Sequence, residues 1–134
     1  MRKTILIVED HPAIIELLQK QVEILGYNSL LAEDGKKAVD MAFSHLPDLI
    51  LMDVVLPKMD GLEAASLIRK NPKTKSIPVL AVTARALAGD KEKCLKSGCD
   101  GYLSKPFTYE QLDEAIKKLL MNHNSGQPFL PEIA

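Results

Sequence analysis

Acidic, hydroxyl and basic side chains stand where short apolar runs of this 134-residue chain end. Glu9 and Asp10 follow the first run, Asp53 the third, Thr83 the fourth and Lys105 the fifth. If these ends meet, three carboxylates and one ammonium carry a local charge of about −2, and such repulsion costs several kcal/mol at intermediate dielectric. A raised pKa or a bound cation relieves it. Hard oxygen ligands of this kind suit Mg²⁺.

A carboxylate beside a cation, a hydroxyl and an ammonium is a set of groups suited to phosphoryl chemistry. Asp53 can attack phosphorus as a nucleophile and form an aspartyl phosphate. The metal, Lys105 and Thr83 would then neutralise or hydrogen-bond the phosphoryl oxygens. The sequence places no histidine, cysteine or serine as an obvious general base, which argues against hydrolysis of an external substrate. One acidic residue at a strand end can equally be a helix N-cap, but five such groups at matching positions indicate a common site.

The spacing of apolar residues predicts the elements that would bring these groups together. Buried-strand runs are Thr4–Val8, Asn28–Ala32, Leu49–Met52, Val79–Val82 and Gly101–Leu103. Helical spacing follows each of them, over about 12–26, 35–46, 61–70, 87–96 and 109–121. The last helix opens on a capping box at Thr108–Gln111.

This alternation predicts the α/β class, with a doubly wound five-stranded parallel sheet covered by helices on both faces. Right-handed crossovers and the apolar first, third and fourth strands favour the flavodoxin-like (βα)5 order 2-1-3-4-5. Ligands bind such sheets beyond the carboxyl ends of the strands, where the five groups lie. Residues 122–134 lack periodicity and contain Pro128 and Pro131. We therefore predict a domain over residues 1–121 and a C-terminal tail or linker stub over 122–134.

Composition and charge exclude several other classes of protein. Seventeen Lys and Arg against 18 Asp and Glu give a net charge of −1, which fits neither a basic nucleic-acid-binding domain nor a polybasic membrane-binding protein. A hydrophobic content of 46% excludes intrinsic disorder. The apolar runs are too short to cross a bilayer, and no signal-peptide pattern opens the chain. Cys94 and Cys99 form neither a disulfide scaffold nor a zinc module, so we interpret them as packing residues in a reducing, cytoplasmic protein.

Five segments resemble, in order and spacing, the receiver domain of two-component response regulators. They are Ile5–Asp10, Pro47–Asp53, Leu56–Gly61, Val82–Ala84 and Gly98–Pro106. The resemblance covers about Lys3 to Met121. It implies a phosphoprotein of bacterial two-component signalling that promotes its own phosphorylation and dephosphorylation and is not an enzyme acting on other substrates.

The resemblance implies a role for each acidic position. Asp53 matches the phosphoacceptor. Glu9 and Asp10 match the acidic pair that holds Mg²⁺ together with Asp53 and the backbone carbonyl of Val55, and Mn²⁺ is the substitute ion. The side chain of Val55 has no polar group to orient an attacking water, so we expect slow self-dephosphorylation.

The resemblance also assigns the remaining site positions. Thr83 and Lys105 match the phosphoryl-binding hydroxyl and lysine, and Thr83 and Tyr102 match the pair of switch residues. Arg85, two residues after Thr83, is expected to flank the phosphoryl group. The Lys105–Pro106 bond is expected to be cis, as is typical of this family.

The implied phosphodonor is a phosphohistidine on a histidine kinase or on a histidine phosphotransfer domain. Phosphorylation is expected to change the face formed by the fourth helix, fifth strand and fifth helix, which would bind a downstream protein without direct contact to nucleic acid or membrane. The oligomeric state is either a monomer or a phosphorylation-dependent dimer.

Three functions remain open at this point. The chain is a stand-alone receiver or relay, or the receiver of a longer response regulator or hybrid kinase that has an output domain. A remote alternative is a Mg²⁺-dependent phosphohydrolase with an aspartyl nucleophile. Enzymes resembling the haloacid dehalogenase group carry a second Asp two residues after the nucleophile, where this chain has Val55.

Overall fold

Strands and helices alternate along the computed structural model, which describes residues 2–53, 61–83, 90–105 and 107–122. The strands are β1 Thr4–Val8, β2 Asn28–Ala32, β3 Leu49–Asp53, β4 Val79–Thr83 and β5 Gly101–Ser104. The helices are α1 Pro12–Ile24, α2 Gly35–His45, α3 Gly61–Lys70, α4 Asp90–Lys96 and α5 Tyr109–Asn122. These bounds agree closely with the predicted ones. The predicted start of the fourth helix at Leu87 and the predicted tail beyond residue 122 lie outside the described residues.

The strands form one parallel sheet in the order β2-β1-β3-β4-β5, as predicted. The most apolar strands, β1, β3 and β4, occupy its interior, because a strand covered on both faces needs apolar side chains on both. Successive side chains of β1 point alternately to the two faces, so that Ile5 and Ile7 pack on one side and Leu6 and Val8 on the other. No helix within the described ranges has the length and apolar character that spanning a membrane requires.

Each face of the sheet has its own core. On the face covered by α1 and α5, these helices contribute the core residues Leu18, Val22, Leu112, Ala115, Ile116 and Leu119. On the face covered by α2, α3 and α4, these helices contribute mostly smaller side chains, namely Ala38, Ala42, Ala64, Ala65, Ile68 and Cys94. The predicted capping box of α5 is present, since Gln111 N donates to Thr108 Oγ1 at 3.1 Å and Thr108 N donates to Gln111 Oε1 at 2.8 Å.

The helical spacing of apolar residues predicts that Leu17 of α1 and Phe43 of α2 face the core, but both are more exposed than this spacing indicates. Leu17 is 55% exposed because its neighbour Leu18, together with Val22 one turn later, takes the position that faces the sheet. Phe43 is 45% exposed, and its ring packs instead against a cation, with Lys73 Nζ 4.8 Å from the ring centroid.

Arg69, at the end of α3, ties together three segments at the amino-terminal edge of the sheet. Its guanidinium donates to Gly98 O from Nε at 3.0 Å and from Nη2 at 2.8 Å. It also donates to Lys75 O and to Asp100 Oδ2, the latter at 2.6 Å. Asp100 Oδ2 in turn accepts from Val79 N at 2.8 Å. We call these residues the Arg69 clamp, and it fixes the turn between α4 and β5 against the start of β4.

We expect Arg69→Ala to lower the free energy of unfolding by about 2 kcal/mol, because it removes charge-assisted hydrogen bonds from partly buried acceptors. Arg69→Lys should lose most of the same amount, since one ammonium cannot reach three acceptors on two segments. Urea titration of each variant measures the change. Lys20→Ala is the control: its ion pair with Glu16 is exposed, and the change should stay within about 0.5 kcal/mol. Equal losses in Arg69→Ala and Lys20→Ala would contradict the stabilising role of the clamp.

Candidate functional site

The register of the parallel strands brings the predicted site positions to one edge of the sheet. Val8 pairs with Met52, so Glu9 and Asp53, one residue further along each strand, are neighbours at the carboxyl ends of β1 and β3. Thr83 pairs with Ser104 at the ends of β4 and β5, which places Lys105 at the same edge. The order and register of the strands therefore bring these positions to the same edge.

Three carboxylates form a compact cluster at this edge, as the sequence predicted. Glu9, Asp10 and Asp53 each offer one oxygen, and these three atoms lie within 4.8 Å of one another. Glu9 is 1% exposed and Asp53 is 9% exposed, whereas Asp10 lies at the surface. This donor set suits a hard divalent cation, and the exposed Asp10 leaves one side of the cluster open to solvent.

Lys105 supplies the positive charge next to the cluster. Its Nζ lies 2.9 Å from Glu9 Oε1 and 3.7 Å from Asp53 Oδ2. Lys105 Nζ thus contacts the two buried carboxylates at once. In the absence of a cation, this ammonium limits the repulsion between them.

Glu9 is the most enclosed carboxylate, and both of its oxygens accept hydrogen bonds. Oε1 accepts from Lys105, and Oε2 accepts from the backbone N–H groups of Asp10 at 3.1 Å and His11 at 3.2 Å. Burial raises the pKa of Glu9, but the hydrogen bond and charge of Lys105 and the His11 N–H outweigh it and hold this pKa below its usual range. Glu9 is therefore ionised at neutral pH in spite of its burial.

The part played by the Asp10 and His11 backbone could not be read from residue types. The nearest sequence signal is Pro12, which marks the start of α1 but does not specify which backbone N–H groups face Glu9. The direct contact of Lys105 with Glu9 was also missed, because it joins residues 96 positions apart in sequence. Because β3 and β4 separate β1 from β5 in the sheet, the contact depends on the reach of the lysine side chain and not on the strand order alone.

Tyr102, the predicted switch residue, lies inside the molecule. It is 5% exposed, pairs in register with Ala81 of β4 and packs in the core under α4. The side chain of Thr83, residues Val55 and Arg85, and the Lys105–Pro106 bond fall outside the described part of the chain. Of the predicted site residues, the structure therefore assembles Glu9, Asp10, Asp53 and Lys105 and places Tyr102 in the core beneath α4.

Comparison with known proteins gives the same family that the motifs indicated. The family model described as the response regulator receiver domain matches residues 5–117. The polar-differentiation response regulator DivK of Brucella anthropi is 40% identical over 120 residues, covering 90% of this chain and 98% of that protein. The DivK protein of Brucella ovis shows the same identity and coverage.

Solved structures agree at the level of the fold. The receiver domain of a sensor histidine kinase from Pseudomonas aeruginosa, solved with a magnesium ion coordinated in its active-site cleft, is 37% identical with a TM-score of 0.85, covering 90% of this chain and 99% of that one. A CheY-like receiver domain protein from Methanospirillum hungatei is 28% identical with a TM-score of 0.85, covering 94% and 99%. The chain belongs to the response regulator receiver domain family.

Proposed function

We propose that this receiver accepts a phosphoryl group on Asp53 from the phosphohistidine of a histidine kinase or a histidine phosphotransfer domain, with Mg²⁺ or Mn²⁺ bound. The observation that carries the proposal is the cluster of Glu9, Asp10 and Asp53 beside Lys105. A nucleophile, a cation site and a fixed ammonium are the three components that aspartyl phosphorylation requires.

The metal would be held by Glu9, Asp10 and Asp53 and by the backbone carbonyl of Val55. Carboxylate oxygens in a small open cluster fit the preference of Mg²⁺ for oxygen ligands and for keeping several waters. When bound, the ion supplies positive charge that the phosphoryl oxygens need as they approach two buried carboxylates. The magnesium ion in the receiver from Pseudomonas aeruginosa supports this proposal.

The residues of the chain perform the transfer itself. A carboxylate oxygen of Asp53 attacks phosphorus, the bond between phosphorus and the histidine nitrogen breaks, and that nitrogen takes up a proton. Lys105, 3.7 Å from Asp53, is within reach of a phosphoryl oxygen on this residue. Thr83, at the end of β4, would donate its hydroxyl to another. The side chains of Val55 and Arg85 would flank the group, and the apolar Val55 would slow attack by water.

The output of the phosphorylated state is proposed to leave through the face formed by α4, β5 and α5. Charge added at Asp53 would draw Thr83 toward the phosphoryl group and favour an inward Tyr102, the position in which this ring is buried here. A downstream protein that binds this face in only one state would then sense phosphorylation.

We favour a receiver that works alone as a single domain over residues 1–121. The match spans 98% of the length of the DivK protein of Brucella anthropi, so that relative has almost no room for an output domain. The alternative, a receiver within a longer protein, is favoured by the similar receiver that belongs to a sensor histidine kinase. A phosphohydrolase is disfavoured because Val55 stands where its second Asp is needed.

Lys105→Met tests how the charges of the site are balanced. In the absence of a divalent cation it should lower the free energy of unfolding by about 3 kcal/mol at neutral pH, because Glu9 is left buried and charged without a counterion. Saturating Mg²⁺ should stabilise the wild type and should raise the melting temperature of Lys105→Met more, because the ion then replaces the ammonium. Thermal melts with and without Mg²⁺ measure both effects. A smaller Mg²⁺ effect in Lys105→Met than in wild type would count against this balance.

Intact-protein mass measures phosphorylation directly. We expect incubation with phosphoramidate and Mg²⁺ to add one phosphoryl group to the wild type, because Asp53 is a nucleophile beside two sources of positive charge. Asp53→Asn should gain none, whereas Asp40→Asn, a surface substitution on α2, should behave as wild type. A time course after removal of the donor should give a lifetime of minutes or longer, and Val55→Gln should shorten it. A gain in Asp53→Asn would refute the assignment of Asp53, and a lifetime of seconds in wild type would refute the role of Val55.

Backbone chemical shifts test the switch. Beryllofluoride with Mg²⁺, a mimic of the phosphoryl group, should change amide shifts of α4, β5 and α5, since Tyr102 lies in β5 beneath α4 and α5 contacts β5 from the other face. The helix α2 contacts β1 and β2, at the opposite end of the sheet from β5. Its amide shifts serve as the internal control and should change less. Identical shifts over α4, β5 and α5 with and without the mimic would eliminate this output face.

A further inference from the structure

The turn that ends α4 is a Schellman motif that places two cysteines side by side. Cys99 N donates to Cys94 O at 3.0 Å, and Gly98 N donates to Leu95 O at 3.1 Å. Gly98 has the left-handed backbone that closes such a turn, with φ at 106°. In this motif the first and last residues of the hydrogen-bonded turn bring their side chains into contact. Here both of those residues are cysteines.

The two thiols are buried and lie within hydrogen-bond distance of each other. Cys94 is 1% exposed and Cys99 is 6% exposed, both belong to the core under α4, and neither is in a disulfide. The hydrogen bond with Cys94 and burial together raise the pKa of the Cys99 thiol, so this thiol is protonated at neutral pH. Their burial agrees with the packing role expected from the sequence. Because the two thiols also lie side by side, they could form a disulfide.

We propose that Cys94 and Cys99 form a dithiol site that a low-molecular-weight disulfide oxidises to an intramolecular disulfide across the α4–β5 turn. When the turn opens locally to solvent, Cys99, the more exposed of the two, loses its proton and attacks one sulfur of the small disulfide, which releases one small thiol. Cys94 then attacks Sγ of Cys99 and releases the second small thiol. Two cysteine thiols are oxidised, one small disulfide is reduced, and the two protons lost by the cysteines appear on the released thiols.

The fold prepares this pair for bonding better than the unfolded chain can. The Cα atoms of a disulfide usually lie about 4.4–6.8 Å apart with their Cβ atoms facing each other, and the hydrogen bond from Cys99 N to Cys94 O closes the turn so that these two residues meet. The outer side of the turn is fixed as well, because Gly98 O accepts two hydrogen bonds from Arg69. The site therefore depends on the turn and the Arg69 clamp, and not on Asp53 or a bound cation.

The experiment measures the equilibrium constant for this disulfide with the full chain. Protein is brought to equilibrium in buffers of glutathione and glutathione disulfide, starting both from the reduced chain and from chain oxidised in urea and then refolded. Acid quenching, alkylation of free thiols and intact mass then give the fraction that lacks two hydrogen atoms. We expect the equilibrium constant in native buffer to exceed that in urea by about tenfold or more, because the native turn removes much of the closure cost. A native constant equal to or below the urea value would overturn the proposal.

Matched variants test whether disulfide formation depends on the native turn or only on the presence of two cysteines in the chain. Cys94→Ala and Cys99→Ala should form no intramolecular disulfide. Gly98→Ala should bring the native constant down toward the urea value, because the left-handed backbone is strained for alanine and its Cβ would lie 3.1 Å from Arg69 Cβ. Circular dichroism confirms that each variant folds. Asp53→Asn should keep the wild-type constant, so failure of phosphorylation and failure of the dithiol site are distinguished.

Discussion

A parallel sheet buried on both faces imposes one constraint from which the rest of this molecule follows. Its strands must be apolar along their length, so polar groups can stand only where a strand ends, and all carboxyl ends share one edge. Charged residues that follow different strands are thereby forced together, as Glu9 and Asp53 are across the β1–β3 pair. The cost of that proximity is met within the same edge by Lys105, which follows β5 and contacts both.

The two edges of the sheet have different roles: the carboxyl edge carries the candidate site, and the amino edge carries contacts that stabilise the fold. At the carboxyl edge, two carboxylates are buried next to a third that is exposed. Such an arrangement contributes little to the free energy of folding and is suited to a reactive site. At the amino edge, Arg69 and Asp100 satisfy one another and the backbone of three segments, which fixes the end of α4 and the start of β4. A change at the carboxyl edge would therefore move the beginning of α4 more easily than its end.

Much of the fold and site was predictable because both rest on periodicity and on strand ends. The strand bounds, the sheet order and the meeting of Glu9, Asp10, Asp53 and Lys105 all follow from local patterns and the rules of parallel sheets. Helical periodicity did not predict the exposure of Leu17, because it identifies an apolar face of the helix but not which part of that face contacts the sheet. It also gave no account of the backbone donors to Glu9 or of the contact between the two thiols, because each depends on turn geometry that residue types do not encode.

The contact between Lys105 and Glu9 makes the ammonium a built-in competitor for any cation that uses Glu9. Binding of a cation must first offset the 2.9 Å ion pair, which weakens the apparent affinity of the site for metal. An anion near Asp53 that attracts Lys105 would release Glu9 and lower that cost. By thermodynamic reciprocity, the cation would then favour the anion to the same degree. One lysine placed between two carboxylates thus suffices to couple the two ligands, without any rearrangement of the fold.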